Sequence, residues 1–172
     1  NERGLAVDAA NTLLWRFAPR RLEAEVIRDS ILAVSGALDL HQGGPGWSPF
    51  EPNDNYVRVY NPKQEFGPNE WRQMIYATSV RQRPDGVFGA FDCPDGGQIG
   101  PKRTSSTTPL QALNLLNSRF IMQQAELFAS RIQNATDAFA MTFNRMPTPP
   151  ELTAAEDFIR EHGLVLFCRA LF

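Results

Sequence analysis

Two short stretches of this sequence share a pattern that marks where helices begin. Thr108 is followed by Pro109 and then by Gln111, and Thr148 is followed by two prolines and then by Glu151. A threonine just before a helix can accept a hydrogen bond from the third helical N–H, while a Gln or Glu there bonds the threonine's own N–H. We therefore predict that Thr108 and Thr148 are N-caps, each in a capping box.

Apolar residues follow both helix starts at helical spacing, which predicts amphipathic helices that bury them. The first run contains Leu110, Leu113, Leu116 and Phe120, and the second contains Leu152, Ala155 and Ile159. The hydroxyls of residues 105–108 could alternatively supply a nucleophile. No histidine lies near them in sequence, so helix capping is the interpretation that we prefer.

The most regular helical pattern lies in residues 18–36, APRRLEAEVIRDSILAVSG. Pro19 is typical of a first turn, and Gly36 is typical of the left-handed residue beyond a helix end. The apolar face that we predict comprises Leu22, Val26, Ile27, Ile31 and Val34. Residues 5–17 show a second, shorter helical pattern.

Charged residues occupy the other side of the helix predicted at 18–36. Arg21, Glu25, Arg28 and Asp29 recur at i, i+3 and i+4 spacings, which predicts a stripe of structural ion pairs. We expect Arg28 to be at least half buried and paired with Asp29, Glu25 or a loop carboxylate such as Asp92.

Glycine and proline dominate two other segments, residues 39–67 and 85–103, which predicts long irregular loops. Within the first, residues 56–60 (YVRVY) alternate as one short strand does. Residues 68–80 are compatible with a helix. We therefore predict a mainly α fold, an irregular helical domain with long Gly/Pro-rich loops and at most a short strand or hairpin.

Two aromatic residues of the first loop, Trp47 and Phe50, have two interpretations. They could anchor a partner, because loops often carry binding residues. They could instead cover the helical core, which we favour.

The chain of 172 residues is long enough for one domain with a hydrophobic core, which we place at residues 1–172. Its net charge of −2 lacks the basic footprint of a nucleic-acid binder, and no apolar run approaches the ~20 residues of a membrane span. The sequence leaves the oligomeric state open.

The C-terminal residues 164–172, LVLFCRALF, form a helical pattern with no stop signal. We therefore expect this chain to be a fragment of a longer protein. Helix connections usually take about 2–8 residues, yet only Gly163 separates this pattern from the preceding helix. We predict that residues are missing between Gly163 and Leu164.

Four carboxylates are candidates for chemistry. Glu25 and Asp29 lie one helical turn apart and could act as a general acid–base pair, although nearby arginines favour structural ion pairs. Asp92 and Asp95 lie on a Gly/Pro-rich loop and could contribute to a calcium site or simply stabilise a turn.

Histidine and cysteine are scarce. His41 and His162 lie far apart, which argues against a histidine-based zinc site. Cys93 and Cys168 are too distant for a local redox or metal motif, and could either pair across the fold or remain thiols. We expect no metal and no cofactor in this segment.

Several phrases occur together and in order: RRLEAEVIRDSILAVSGALD, GGPG, AFDCPD, RTSSTTPLQALNLLNSRFI, NRMPTPPEL and FCRALF. They resemble the planctomycete-type PSD1 domain, a domain of unknown function (DUF1553), from about Leu13 to Phe172. The resemblance implies a large secreted or periplasmic protein that often carries cytochrome c modules. It implies no catalytic residue or cofactor. Haem c would belong elsewhere in the full-length protein, because this segment has no Cys-x-x-Cys-His.

The leading hypothesis is a non-catalytic structural or interaction module whose partners are other domains of the same chain. One alternative is an extracytoplasmic hydrolase domain that acts on glycans through carboxylates. Another is a docking domain for a cytochrome c module. A concave site holding two of the candidate carboxylates without arginine partners would favour the enzyme, whereas large exposed apolar surfaces would favour the module.

Overall fold

A computed structural model of the chain describes residues 2–18, 20–53, 56, 59–81, 83, 85–94, 97, 102–103 and 105–172. These residues contain seven α-helices and no strand. The helices are α1 (Glu2–Val7), α2 (Ala24–Ser35), α3 (Pro109–Asn117), α4 (Arg119–Arg131), α5 (Ala135–Phe143), α6 (Pro149–His162) and α7 (Leu164–Leu171). Short 3-10 helices span Pro68–Glu70, Met74–Tyr76 and Phe88–Phe91. The predicted mainly α fold is confirmed.

Helix α4 is the central element because it contributes to both hydrophobic clusters of the fold. Its C-terminal half carries Phe128, which packs in a cluster formed with α5, α6 and α7. Its N-terminal half carries Phe120 and Ile121, which pack against α2 and the 3-10 helix Phe88–Phe91. Between the two clusters, the fully buried Gln124 side chain forms a 2.6 Å hydrogen bond with the Ser35 hydroxyl of α2.

Helix α2 ends where the sequence predicts but begins later. Gly36 follows it in the left-handed conformation, with φ 79°. Its first residue is Ala24, not a residue near Pro19, which itself lies outside the described residues. Leu22 and Val26 of the predicted apolar face are exposed. The residues that α2 buries are Ala24, Arg28, Ile31, Leu32 and Ser35, and of these Ile31 belongs to the predicted face.

Both threonines are N-caps as predicted, and the Gln or Glu half of each capping box is present, although neither threonine hydroxyl caps a backbone N–H. Thr108 is the N-cap of α3 and Thr148 is the N-cap of α6. The Thr108 N–H donates to Oε1 of Gln111 at 3.2 Å, and the Thr148 N–H donates to Oε2 of Glu151 at 2.8 Å. Each side chain therefore satisfies a backbone donor that has no partner within its helix.

The leucine face of α3 is exposed, and the prediction that it is buried is wrong. Leu110, Leu113 and Leu116 are 56%, 53% and 45% exposed. The polar residues of the same helix face inward, where Gln111 is buried and Asn114 donates to the Val87 carbonyl at 2.9 Å. The fold therefore presents an unpartnered stripe of three leucines, which we call the α3 leucine stripe.

The predicted run that includes Phe120 is interrupted between Asn117 and Arg119. Ser118 is extended there, with φ −70° and ψ 141°, and its hydroxyl accepts the Ile121 N–H at 3.2 Å. Phe120 consequently belongs to α4, whose new direction carries its ring into the core.

The N-terminal segment is helical only as far as Val7, so the predicted helix at residues 5–17 is mostly wrong. The Asp8 carboxylate accepts the N–H groups of Thr12 and Leu13 at 2.9 and 2.7 Å, which stabilises a turn in place of a second helical turn. The Trp15 indole also donates to the Asp8 carbonyl at 2.8 Å.

Arg28 joins α2 to the loop that crosses it. Its side chain is only 3% exposed and donates to the main-chain carbonyls of Glu70 and, at 2.9 Å, Arg72. It pairs with Asp29 at 3.2 Å, and its guanidinium lies 4.4 Å from the centroid of the Trp47 ring. The predicted burial of Arg28 and its pairing with Asp29 are confirmed.

Arg72 orders the Gly/Pro-rich loop in the same manner. It donates to the carbonyls of His41, Gly43 and Pro45 at 2.9, 2.6 and 2.5 Å. Its guanidinium also lies 4.0 Å from the centroid of the Tyr76 ring. Main-chain carbonyls are therefore the acceptors through which Arg72 holds this loop, and the Asp39 carboxylate lies 4.0 Å from the Arg72 Nε.

Residues 68–80 form no α-helix, and that prediction is wrong. Two 3-10 helices, Pro68–Glu70 and Met74–Tyr76, replace it. The reason is that the backbone pairs with the first loop, where the Trp47 N–H donates to the Tyr76 carbonyl at 3.0 Å.

The predicted short strand at 56–60 lies partly outside the described residues. On either side of it, residues 49–51 and 61–63 pair in antiparallel fashion. The Glu51 N–H donates to the Asn61 carbonyl at 2.8 Å, and the Lys63 N–H donates to the Pro49 carbonyl at 2.9 Å.

A single glycine makes the turn between α6 and α7. Gly163 has φ 86° and ψ 161°, a conformation that is essentially restricted to glycine. Its N–H donates the last hydrogen bond of α6 to the Ile159 carbonyl at 2.8 Å, and its carbonyl accepts the Phe167 N–H at 3.2 Å. The prediction of missing residues between Gly163 and Leu164 stays a prediction, which sequencing of the parent gene would check.

We predict that Arg28→Ala lowers the free energy of unfolding by about 3–5 kcal/mol, because it removes the cation that pairs with Asp29 and leaves the carbonyls of Glu70 and Arg72 without their donor. Urea denaturation followed by circular dichroism measures this change. Arg119→Ala is the matched control, because the Arg119 side chain is 72% exposed and its loss should cost less than about 1 kcal/mol. Equal midpoints for the two variants would contradict the prediction.

The Glu151 carboxylate predicts a pH dependence of stability. Hydrogen bonds from Arg145 and from the Thr148 N–H lower its pKa to about 2. Because the folded pKa lies below the ordinary value of 4.5, the stabilisation is fully present above pH 4.5 and is lost as the pH falls through about 2. The difference in urea midpoint between wild type and Glu151→Gln should thus be largest at neutral pH and vanish near pH 2.

The control for this experiment is Glu156→Gln, because Glu156 is exposed on the same helix. Its midpoint should track that of the wild type across the range. A Glu151→Gln difference that stays constant with pH would overturn the assignment.

Candidate functional site

A surface depression beside α2 brings two of the candidate carboxylates together. Glu25 and Asp29 line it from α2, Met74 and Ser79 line it from the facing loop, and Arg103 closes one end. A cavity of 330 Å³ shares Glu25, Met74 and Arg103 with this depression and extends towards the first loop. This is the one place where the predicted acid–base pair could act.

Glu25 is held by an arginine that the sequence analysis did not identify. The Arg103 guanidinium donates to both Glu25 oxygens, at 2.7 and 2.9 Å, and also lies 3.5 Å from Glu23. This bidentate contact lowers the pKa of Glu25 below its ordinary value. Arg103 comes from the second Gly/Pro-rich loop, 78 residues from Glu25, so no sequence spacing could reveal the pair.

Asp29 is hydrogen-bonded to the loop on the other side of the depression. Its two oxygens accept the Met74 N–H at 2.9 and 3.1 Å, and Arg28 donates to it at 3.2 Å. Burial raises the pKa of Asp29 above its ordinary value, and these contacts only partly offset the effect. The carboxylate therefore fixes the start of the 3-10 helix Met74–Tyr76 against α2.

The loop carboxylates lie elsewhere. The Asp92 backbone has the left-handed conformation, with φ 58°. Its carboxylate accepts hydrogen bonds from the Ser106 N–H at 2.7 Å and from the Ser106 hydroxyl at 2.8 Å. Asp95 lies outside the described residues. The depression therefore holds Glu25 and Asp29, and Asp92 ties its own loop to the segment that precedes α3.

Arg21 does not join the predicted ion-pair stripe of α2. Its guanidinium donates to the Thr107 hydroxyl at 2.7 Å and to Oε1 of Gln111. Gln111 in turn donates to the carbonyls of Ala90 and Ser106 at 2.9 and 3.2 Å. The capping glutamine is thus also the residue that joins α3 to two neighbouring segments, a role that the capping pattern alone does not predict.

The aromatic residues of the first loop are buried, with Trp47 7% and Phe50 6% exposed. Of the two interpretations, covering of the core is the one that the structure supports. The Phe66 ring links Trp47 to Phe120 of α4 through edge contacts with centroid distances of 6.4 Å on each side.

Both cysteines are free thiols, and burial raises the pKa of Cys93 and that of Cys168, the latter to about 11. Neither is thus predisposed to form a thiolate near neutral pH. Within the part of the chain that the structure describes, no group of three or more His, Cys, Asp or Glu side chains could hold a metal ion. In that same part, every helix is too short or too polar to cross a membrane.

Comparison with known families gives one match. Residues 1–159 match the model of the family described as PSD1, protein of unknown function (DUF1553). The chain belongs to the PSD1 family. The match covers both candidate carboxylates of the depression, Glu25 and Asp29, and ends within α6. Helix α7 of this PSD1 chain lies beyond the matched residues. No curated protein and no solved structure matched the chain.

We predict that Arg103→Gln returns the pKa of Glu25 to its ordinary range, because the guanidinium is the main cause of its lowering. Carbon-13 NMR of the Glu25 carboxyl during an acid titration measures the change. Arg160→Gln is the control, since Arg160 pairs with Asp157 at 2.7 Å on α6, away from the depression. An unaltered Glu25 titration in Arg103→Gln would show that another group lowers this pKa.

Proposed function

We propose that this PSD1 chain is a non-catalytic interaction module that packs against other domains of the same polypeptide, in a secreted or periplasmic protein. The observation that carries the proposal is the α3 leucine stripe. Leu110, Leu113 and Leu116 leave about half of each side chain in water although the helix buries Gln111. Exposed apolar surface of this regularity is typical of a surface that another element covers.

The N-terminal segment supports the same interpretation. Hydrogen bonds to Asp8 hold its turn, and Asn11 bonds both the N–H and the carbonyl of Arg16, at 3.1 and 2.8 Å. Its apolar side chains nevertheless remain in water: Leu5, Val7, Leu13, Leu14 and Phe17 are all more than half exposed. An ordered segment that presents apolar side chains outward is suited to dock on a neighbouring domain.

The state of the carboxylates argues in the same direction. Glu25 bonds Arg103, and Asp29 bonds Arg28 together with a main-chain N–H. Two carboxylates without arginine partners would favour an enzyme. Glu25 and Asp29 each have an arginine partner, so they do not meet this condition.

Hydroxyl-radical footprinting of the natural full-length polypeptide tests the proposal. The α3 leucines should be oxidised several-fold more slowly than Leu40, a loop leucine that is 65% exposed and serves as the internal control. Leu13 and Leu14 should be protected in the same way. Oxidation of all these leucines at rates that follow their exposure in the isolated chain would contradict the module.

A hydrolase that acts on glycans is the second candidate, and one observation favours it. Glu25 and Asp29 line a single depression, with the pKa of one lowered and the pKa of the other raised. Opposed shifts of this kind are found in acid–base pairs. Release of reducing ends from soluble polysaccharides by the wild type, lost in Asp29→Asn and Glu25→Gln but kept in Asp157→Asn, would establish it; no release from the wild type would remove it.

Docking of a cytochrome c module is one particular form of the interaction proposal. Its support is the family resemblance alone, and the same footprint on a polypeptide that carries such a module would test it.

A further inference from the structure

The cavity of 330 Å³ between α2 and the first loop is lined mainly by apolar side chains. We call it the Trp47 cavity. Its apolar lining residues are Trp47, Pro49, Phe50, Met74, Ala77, Val80, Cys93 and Pro94. Thr78 and Ser79 belong to the same lining and are exposed, so their hydroxyls lie where the cavity meets solvent. The cavity therefore combines apolar walls with neutral polar groups at its mouth.

The walls of the cavity are fixed by contacts with residues that do not line it. The Arg28 guanidinium lies 4.4 Å from the centroid of the Trp47 ring, and Asp29 accepts the Met74 N–H at 2.9 Å. The Thr78 N–H also donates to the Trp47 carbonyl at 2.8 Å, which joins the two segments that form the walls. The walls cannot close on each other without loss of these contacts, so the cavity is preformed, as ligand sites usually are.

The charges of the lining balance. Four charged residues line the cavity, two of each sign: Glu25, Asp85, Arg83 and Arg103. Arg103 donates to both Glu25 oxygens, and Asp85 accepts the N–H groups of Val87 and Phe88 at 2.9 and 2.6 Å. Arg83 is exposed, so its guanidinium is hydrated. An ionic ligand would lose its own hydration there and gain no net attraction, which favours a neutral ligand.

The volume of the cavity sets the size of that ligand. An apolar cavity of about 150 Å³ is large enough to bind benzene, so 330 Å³ has room for two fused rings. Water between apolar walls finds few hydrogen-bond partners, and its displacement by an apolar group favours binding. A single hydroxyl on the ligand can bond the groups at the mouth.

We propose that the Trp47 cavity binds a neutral aromatic molecule of two fused rings that carries one hydroxyl group. The rings lie between the apolar walls, and the hydroxyl group lies at the mouth beside Thr78 and Ser79. The proposal goes beyond the interaction function and does not depend on it, because the cavity shares no residue with the α3 leucine stripe.

The probe is naphthalenemethanol, and its matched anion is naphthoate, which carries a carboxylate on the same ring position. Saturation-transfer NMR with the wild-type protein measures both affinities. Naphthalenemethanol should bind about tenfold more tightly than naphthoate, because a carboxylate would be desolvated beside Glu25 and Asp85.

Cys93 reports whether the probe occupies this cavity, because its thiol is half-buried in the lining. Saturating naphthalenemethanol should slow alkylation of Cys93 by N-ethylmaleimide several-fold at mildly alkaline pH, as followed by peptide mass spectrometry. Cys168 is the internal control, since it is fully buried away from the cavity and reacts only when the fold opens.

Val80→Trp fills the cavity from a half-buried position of its lining and should weaken binding of naphthalenemethanol about tenfold. Val59→Trp is the matched control, because Val59 is 44% exposed and lies outside the lining. Its affinity should equal that of the wild type. Circular dichroism checks that both variants remain folded, and the protection of Cys93 tests the wild type without any substitution.

Unchanged alkylation of Cys93, or wild-type affinity in Val80→Trp, would overturn the proposal. Tighter binding of naphthoate that Arg83→Gln abolishes would overturn the neutral class and assign the cavity to an anion. These outcomes are independent of the footprint of the α3 leucine stripe. Protected leucines together with unprotected Cys93 would leave the interaction module in place and remove the ligand site alone.

Discussion

The buried guanidinium of Arg28 is the contact on which the arrangement of the irregular half of the molecule depends. It lies between α2, the ring of Trp47 and the carbonyls of residues 70 and 72. A guanidinium taken out of water is costly unless each donor finds an acceptor, so the loop must adopt a path that supplies carbonyls there. The position of Asp29, and with it one wall of the depression, follows from the same constraint.

Helix α3 shows which parts of a helix a sequence can specify. Its start was predictable, because a capping box depends on residues within one turn. Its orientation was not, because Gln111 is buried by partners at residues 90 and 106 that no local pattern contains. Hydrophobic periodicity assigned the leucines to the core, whereas the side-chain hydrogen bonds of Gln111 and Asn114 turned the opposite face inward.

At the candidate site, too, local spacing could be predicted from the sequence and contacts between distant segments could not. The sequence placed Glu25 and Asp29 one turn apart on a helix, and the burial of Arg28 was predicted from its position among the charges. Arg103 could not be predicted, because its pairing with Glu25 depends on how a Gly/Pro-rich loop returns to α2. Residues 68–80 were predicted as a helix because propensity takes no account of the first loop, whose backbone pairs with theirs through contacts such as Trp47 to Tyr76.

The carbonyl acceptors of Arg28 and Arg72 have a consequence for how such a loop can evolve. A main-chain carbonyl is present whatever side chain its residue carries, so substitution of His41 leaves its bond to Arg72 intact. The glycines of the same loop are exceptions. Gly43 and Gly44 have φ of 77° and 76°, a left-handed conformation that residues with a side chain rarely adopt, and a Cβ at Gly46 would lie 2.5 Å from the Tyr76 carbonyl oxygen. The two arginines thus act as a fixed frame that tolerates changes of side chain at the non-glycine positions whose carbonyls they bind.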